Sequence, residues 1–194
     1  GMTEETLKNP TEAQIPTPTG LDAAILTIQT GIKDSCPWVS KSFGRAFPMT
    51  RMVVEEKRVE QMVYIAKGEY YPVLPNDALN AFSFFRVNGN REPVEIVQNV
   101  SPMVYTALMD LIVWCNLKLV DPTKDYVFTE ELITQVVNFL NFQPGVQLGQ
   151  VFDDKVEDIY SGYTLFPNHR DLLMYPYAAF RISFDLTYQI SCAT

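Results

Sequence analysis

The 194-residue sequence holds a single histidine, His169, and three cysteines, Cys36, Cys115 and Cys192. The cysteines are odd in number, far apart and without CxxC spacing, which argues against a disulfide framework or a zinc site and for reduced, buried thiols in a cytosolic setting. One histidine means that any Ser-His or Cys-His nucleophile pair would have to use it. No stretch approaches the ~20 consecutive apolar residues of a membrane helix, and the polar start T-E-E-T-L-K-N-P-T-E is unlike a secretory signal. A soluble protein without membrane association is expected. Basic residues are also few: 15 Lys and Arg against 23 Asp and Glu leave a formal charge of -8, which opposes the phosphate neutralisation behind tight nucleic-acid binding.

What is present is strand-like and aromatic. A hydrophobic content of 47% with 12% aromatics is that of a globular chain. Residues 179–192, A-F-R-I-S-F-D-L-T-Y-Q-I-S-C, alternate without a break. Phe180, Ile182, Phe184, Leu186, Tyr188, Ile190 and Cys192 fall on one parity, and Arg181, Ser183, Asp185, Thr187, Gln189 and Ser191 on the other. That pattern predicts a long strand with one face on a core and the other in water. Residues 104–117 read the same way: Tyr105, Ala107, Met109, Leu111, Val113, Cys115 and Leu117 form an apolar face. A helix drawn through them would bury Asp110 among apolar neighbours, so a second long strand, paired near the first, is expected. The fold class that follows is α+β: a mainly antiparallel sheet with long strands, flanked by two or three helices.

The helices come from spacing and stop signals. Leu21, Ala24, Ile25, Ile28 and Ile32 predict a helix over 20–34, with Thr19 as N-cap and Pro37 beyond its end. Thr129 as N-cap, Glu130 and Glu131 in the first turn and the stripe Leu132, Val136, Phe139 or Leu140 predict a second, stopped by Pro144. Phe152, Val156, Ile159 and Tyr160 mark a short third, ending at Ser161-Gly162. Residues 61–66 read as a short strand, and the Glu55-Glu56-Lys57-Arg58 run as a solvated turn in a segment, 39–77, that periodicity otherwise leaves open. Asn88-Gly89-Asn90 between apolar runs at 81–87 and 94–97 predicts a hairpin, with Pro93 at an edge. Residues 1–18, with Pro10, Pro16 and Pro18, predict a flexible arm, and 19–194 a single α+β domain; Gly1 before Met2 is expected to be a tag remnant.

Motifs with chemistry fall short of it. His169-Arg170-Asp171-Leu172 matches the opening of a kinase catalytic loop, but Pro176 stands where the magnesium-binding Asn belongs and no glycine-rich loop precedes it. Asp153, Asp154, Glu157 and Asp158 lack the alternate-residue spacing of a calcium loop, and a solvated helix face explains them. The glycines of G-V-Q-L-G-Q at 145–150 are misplaced for a dinucleotide fingerprint. No catalytic, cofactor or metal residue is therefore assigned. The aromatics Tyr70, Tyr71, Phe82, Phe84 and Phe85 are the candidate interface; an alternative is a small binding module or enzyme with a pocket at that cluster, near Tyr70 and Phe84.

In the order of these elements, and in V-Y-I-A-K-G-E-Y-Y, D-L-I-V-W-C-N-L-K with the following T-E-E-L-I-T-Q-V-V-N-F-L, and Y-A-A-F-R-I-S-F-D-L-T-Y-Q-I, the chain resembles the small bacteriophage tail-terminator and tail-completion proteins. The resemblance implies a non-enzymatic virion protein of a phage or prophage. It would form a homo-oligomeric, hexameric ring at the tail end or head-tail junction, against tail-tube or neck proteins, and reside in the host cytoplasm before assembly.

Overall fold

The computed structural model describes residues 14–53, 57–66, 68–94, 103–163, 165, 171 and 173–190. In chain order the elements are α1 (Leu21–Ser35), β1 (Lys41–Val53), β2 (Lys57–Ala66), β3 (Glu69–Pro72), β4 (Ala81–Val87), β5 (Glu92–Pro93), β6 (Met103–Asn116), α2 (Leu117–Val120), α3 (Thr129–Asn141), β7 (Val146–Phe152), α4 (Val156–Ile159) and β8 (Tyr177–Ile190). Among the described residues this is an α+β fold with one mixed sheet, ordered β3-β2-β1-β4-β6-β8-β7. Every pairing is antiparallel except that of β1 with β4.

The two long strands form the axis of the sheet. β6 and β8 pair along their whole length, from Met103 opposite Ile190 to Asn116 opposite Tyr177. On one face Ala107, Met109, Leu111, Val113 and Cys115 join Phe180, Ile182, Phe184 and Leu186, and α1 and α3 cover them with Ile25, Ile28, Ile32, Leu132, Val136 and Leu140. The helices bury the stripes that their spacing predicts. A buried polar contact fixes α1 to β1: the Gln29 side chain donates to the Ser42 carbonyl at 3.0 Å, and the Ser42 hydroxyl donates to the Gln29 carbonyl at 2.8 Å.

The opposite face is not wet in its middle. A second apolar cluster there joins Phe82, Phe84, Ile112, Trp114 and Ala179 to Phe43, Tyr64 and Tyr71 from β1, β2 and β3, and to Ile159 and Tyr160 from α4 and the turn after it. The expectation of a solvated parity on β8 therefore holds only at its far end, where Thr187 and Gln189 are exposed; Arg181 is buried at 7% and Ser183 half-buried. Asp110 is likewise fully buried in the strand that was expected to expose it.

Other expectations are corrected. β4 and β5 do not form a hairpin around Asn88-Gly89-Asn90: both pair antiparallel with the same strand, Val87 opposite Met109 and Glu92 opposite Thr106. Gly89, at φ 87°, serves an outward excursion between two collinear strands instead of a chain reversal. Residues 95–97 and the Glu55-Glu56 part of the charged run lie outside the described residues. G-V-Q-L-G-Q belongs to the edge strand β7, the predicted third helix shrinks to α4, and Leu117 opens α2. Neither predicted N-cap is realised: Gly20 and Phe128 occupy those positions without a side-chain cap bond. Of the arm expected over 1–18, residues 1–13 lie outside the described residues; at its end Gln14 Nε2 donates to Thr30 Oγ1 on α1 at 3.4 Å.

Parity on β8 gives a direct test. Ile182→Asp places an unpaired charge at a 1% exposed core position and should abolish cooperative melting, whereas Gln189→Asp on the exposed end should shift stability by no more than about 0.5 kcal/mol in a urea titration.

Candidate functional site

The polar chemistry of the structure concentrates on the second face of the sheet. Arg86 on β4, Asp110 on β6 and Ser183 on β8 occupy one row, with Arg86 opposite Asp110 and Asp110 opposite Ser183. Arg181, one same-face position along, reaches diagonally so that its Nη1 lies 2.8 Å from Asp110 Oδ1. Its Nε donates to the Asp158 carbonyl at 2.7 Å, and the guanidinium stacks 3.8 Å from the centre of the Phe152 ring. Arg86 donates to the Ser161 carbonyl and lies over the Tyr163 ring at 5.4 Å. Gly162, at φ 80°, passes against the Arg86 guanidinium where a Cβ would collide.

Burial pushes the Tyr160 and Tyr163 phenols above their ordinary range. Both hydroxyls and Asp110 Oδ2 have no hydrogen-bond partner among the described residues. Each arginine spends donors on carbonyls of the 158–161 turn, and Asp110 is fully buried. The arrangement is a clasp that holds this turn on the sheet by charge-assisted hydrogen bonds.

Two surface features accompany it. Beyond β4, residues 46–53 of β1 and 57–64 of β2 pair with each other, and β3 joins only from Val63. The outer part is thus a two-stranded ribbon with both outer edges open among the described residues. At the other end of the sheet, a groove of about 450 Å³ opens between the start of α3, the 153–159 segment and the start of β8.

The sequence-predicted interface is largely internal. Tyr71, Phe82, Phe84 and Phe85 are between 0% and 5% exposed, while Tyr70 is 58% exposed. Phe82 stacks on Trp114 at 5.6 Å, and Phe85 belongs to the opposite core with Phe184. Tyr71, Phe82, Phe84 and Phe85 fill two cores, one on each face of the sheet. Strand alternation turns Tyr70 away from Tyr71 and its cluster, so Tyr70 and Phe84 do not make a joint pocket. Asp153, Asp154, Glu157 and Asp158 are all exposed. Among the described residues no group of three His, Cys, Asp or Glu side chains is placed to hold a metal ion. His169 and Cys192 lie outside the described residues, and no helix described is long and apolar enough to cross a membrane.

Neither a scan against protein-family models nor a search of curated proteins finds a match for the chain.

Arg181→Met leaves Asp110 buried without its partner and should cost about 3–5 kcal/mol, whereas Arg181→Met with Asp110→Leu should cost much less than the sum of the single changes. Urea unfolding of the four proteins measures the coupling, and additive losses would show that the pair is not coupled. Burial also raises the Cys36 thiol from 9.0 to about 11 and the Cys115 thiol from 9.0 to about 12. The unfolded chain releases these protons first, so their contribution to stability is full below pH 9 and is lost as pH rises toward 12. Replacing both with Ala should make the alkaline decline of stability shallower, and an unchanged slope would exclude the thiols as its cause.

Proposed function

We propose that the chain is a structural, non-catalytic subunit of a phage or prophage particle that joins copies of itself head to tail into a ring at the tail end or head-tail junction. The observation that carries this reading is the ribbon of β1 and β2. A two-stranded ribbon is marginally stable alone in water, and open edges are ordinarily paired, covered or charged. A neighbouring subunit is the natural cover.

The other end of the strand order supports the same reading by contrast. β7 is an edge strand too, but its pairing with β8 is interrupted between Leu148 and Val151. Ser183 Oγ accepts from the Gln150 amide at 2.8 Å there, and at Gly149 a Cβ would meet Ser183 Oγ at 2.5 Å. A bulge of this kind blunts an edge against further strand addition. Where the ribbon of one subunit meets a different surface of the next, the contact is heterologous, and such contacts give rings when the rotation closes. The resemblance in element order adds a hexameric ring, tail-tube or neck proteins as partners, and a virion location reached from the host cytoplasm.

The test is light-scattering mass after size exclusion, with and without the tail-tube protein, on the natural chain and on a variant in which residues 49–61 are replaced by Asn-Gly. The natural chain should assemble in at least the second condition, and the shortened chain should stay monomeric while keeping a cooperative melt. A monomeric natural chain in both conditions would overturn the proposal.

A further inference from the structure

We infer that the groove at the end of the sheet where β6 finishes and β8 begins docks an extended segment of a partner protein, one carrying a large apolar side chain between Lys or Arg residues. Three observations, independent of the ring proposal, converge on this end of the molecule.

The first is apolar exposure. Val127 and Tyr175 line the groove with 65% and 45% of their surface exposed, and Met174 beside Tyr175 is 66% exposed. Large apolar side chains left in water together around a concavity are the usual mark of an interaction site. The volume, about 450 Å³, is in the range that takes a few side chains.

The second is a backbone edge that no strand covers among the described residues, with the Tyr177 amide there donating to the Met174 carbonyl at 2.9 Å. β6 pairs with β8 from Tyr177 onward, but β7 begins its pairing only at Arg181, opposite Phe152. On the β7 side, residues 177–180 have no strand against them among the described residues. Tyr177, Ala178 and Ala179 from this stretch line the groove. An extended segment laid there would add main-chain hydrogen bonds to side-chain burial, as in recognition by strand addition.

The third is charge, and it selects among occupants. Glu130, Asp153 and Asp154 line the groove, and among the described residues no Lys or Arg does; Lys118 sits outside it, over the Tyr175 ring at 5.7 Å. A basic segment gains from this field in both encounter and orientation, and an acidic one is repelled. The chain's own first 13 residues carry Glu4, Glu5 and Glu12 against Lys8, the wrong sign for this rim.

The experiment uses the full chain and a fluorescein-labelled peptide in which Lys and Leu alternate around a central Trp, with a Glu-for-Lys peptide as control, read by anisotropy. The Lys peptide should bind saturably and more weakly as salt rises, and the Glu peptide should not bind. Asp153→Lys with Asp154→Lys should weaken the Lys peptide by about tenfold or more, as should Val127→Asp with Tyr175→Asp. All four positions are at the surface, and an unchanged melt confirms that each variant folds. Equal binding of the two peptides, or a dissociation constant unmoved by both double variants, would overturn the inference. So would variants that lose self-association by light scattering while still binding the peptide, since the groove would then hold a second copy.

Discussion

The register of β6 against β8 is the constraint on which the rest of the structure depends. Side chains alternate with a period of two, so a slip of one residue would carry Met109, Leu111 and Val113 away from α1 and α3 and bring Asp110 into their place. Neither helix layer would then have an apolar surface to cover. β4 reads the same register from the other side of β6, with Phe85 opposite Leu111 and Phe84 opposite Ile112, and so sends Phe85 to one core and Phe82 and Phe84 to the other. β7 inherits the register from β8, and the turn into α4 is aimed by where β7 ends.

The Asp110–Arg181 pair marks that register in charge. Its net worth against a well-packed apolar pair is small or negative, because desolvating both groups costs much of what their attraction returns. Its consequence lies in what happens when it is mismatched: in any other alignment a carboxylate fully enclosed by the fold would lack its cation. The arginine's other donor reaches the Asp158 carbonyl, so the same group that reports strand alignment also fixes the turn beside Ile159 and hence one wall of the groove. Arg86 repeats the device on Ser161, and only a glycine at 162 lets the backbone pass so close. Core alignment and surface shape are thereby coupled through two guanidinium groups.

Where one periodicity runs unbroken against one environment, the sequence could be read: β6, β8, α1 and α3 all bury the stripes their spacing predicts. Reading stopped where two environments meet. β8 has a wet face at Thr187 and Gln189 but a buried one at Arg181, and alternation alone cannot distinguish them. Asn88-Gly89-Asn90 carries hairpin chemistry, yet a positive φ at Gly89 serves a collinear excursion equally well; the deciding partner, β6, lies far along the chain. The aromatics at 82–85 looked excessive for one core because the sheet has two. β1 and the first part of β2, before the strand read at 61–66, escaped notice because Gly44, Pro48 and the charged run break their alternation, and β7 was not read as a strand. For the groove, the separate segments at 127, 153 and 175 gave no local signal that folding would join them.

The placement of the open backbone gives the molecule a direction. β1 runs parallel to β4 from Lys41 opposite Phe82 to Arg45 opposite Phe85, and Phe82 and Phe85 face Trp114 and Leu111 on β6. The ribbon therefore leaves the sheet toward the end at which β6 begins, while the groove lies where β6 finishes. β7, which would otherwise offer a lateral edge, is interrupted by the bulge at Gly149 and Gln150 and tied down by Ser183. Lateral growth of the sheet is thus opposed along the β7 side, and among the described residues the ribbon and residues 177–180 leave strand main chain without a strand partner at two opposite ends. The two ends differ in what they offer: an open two-stranded ribbon at one, and a groove rimmed by Glu130, Asp153 and Asp154 at the other. A contact at one end therefore leaves the main chain and the charged rim at the other unchanged.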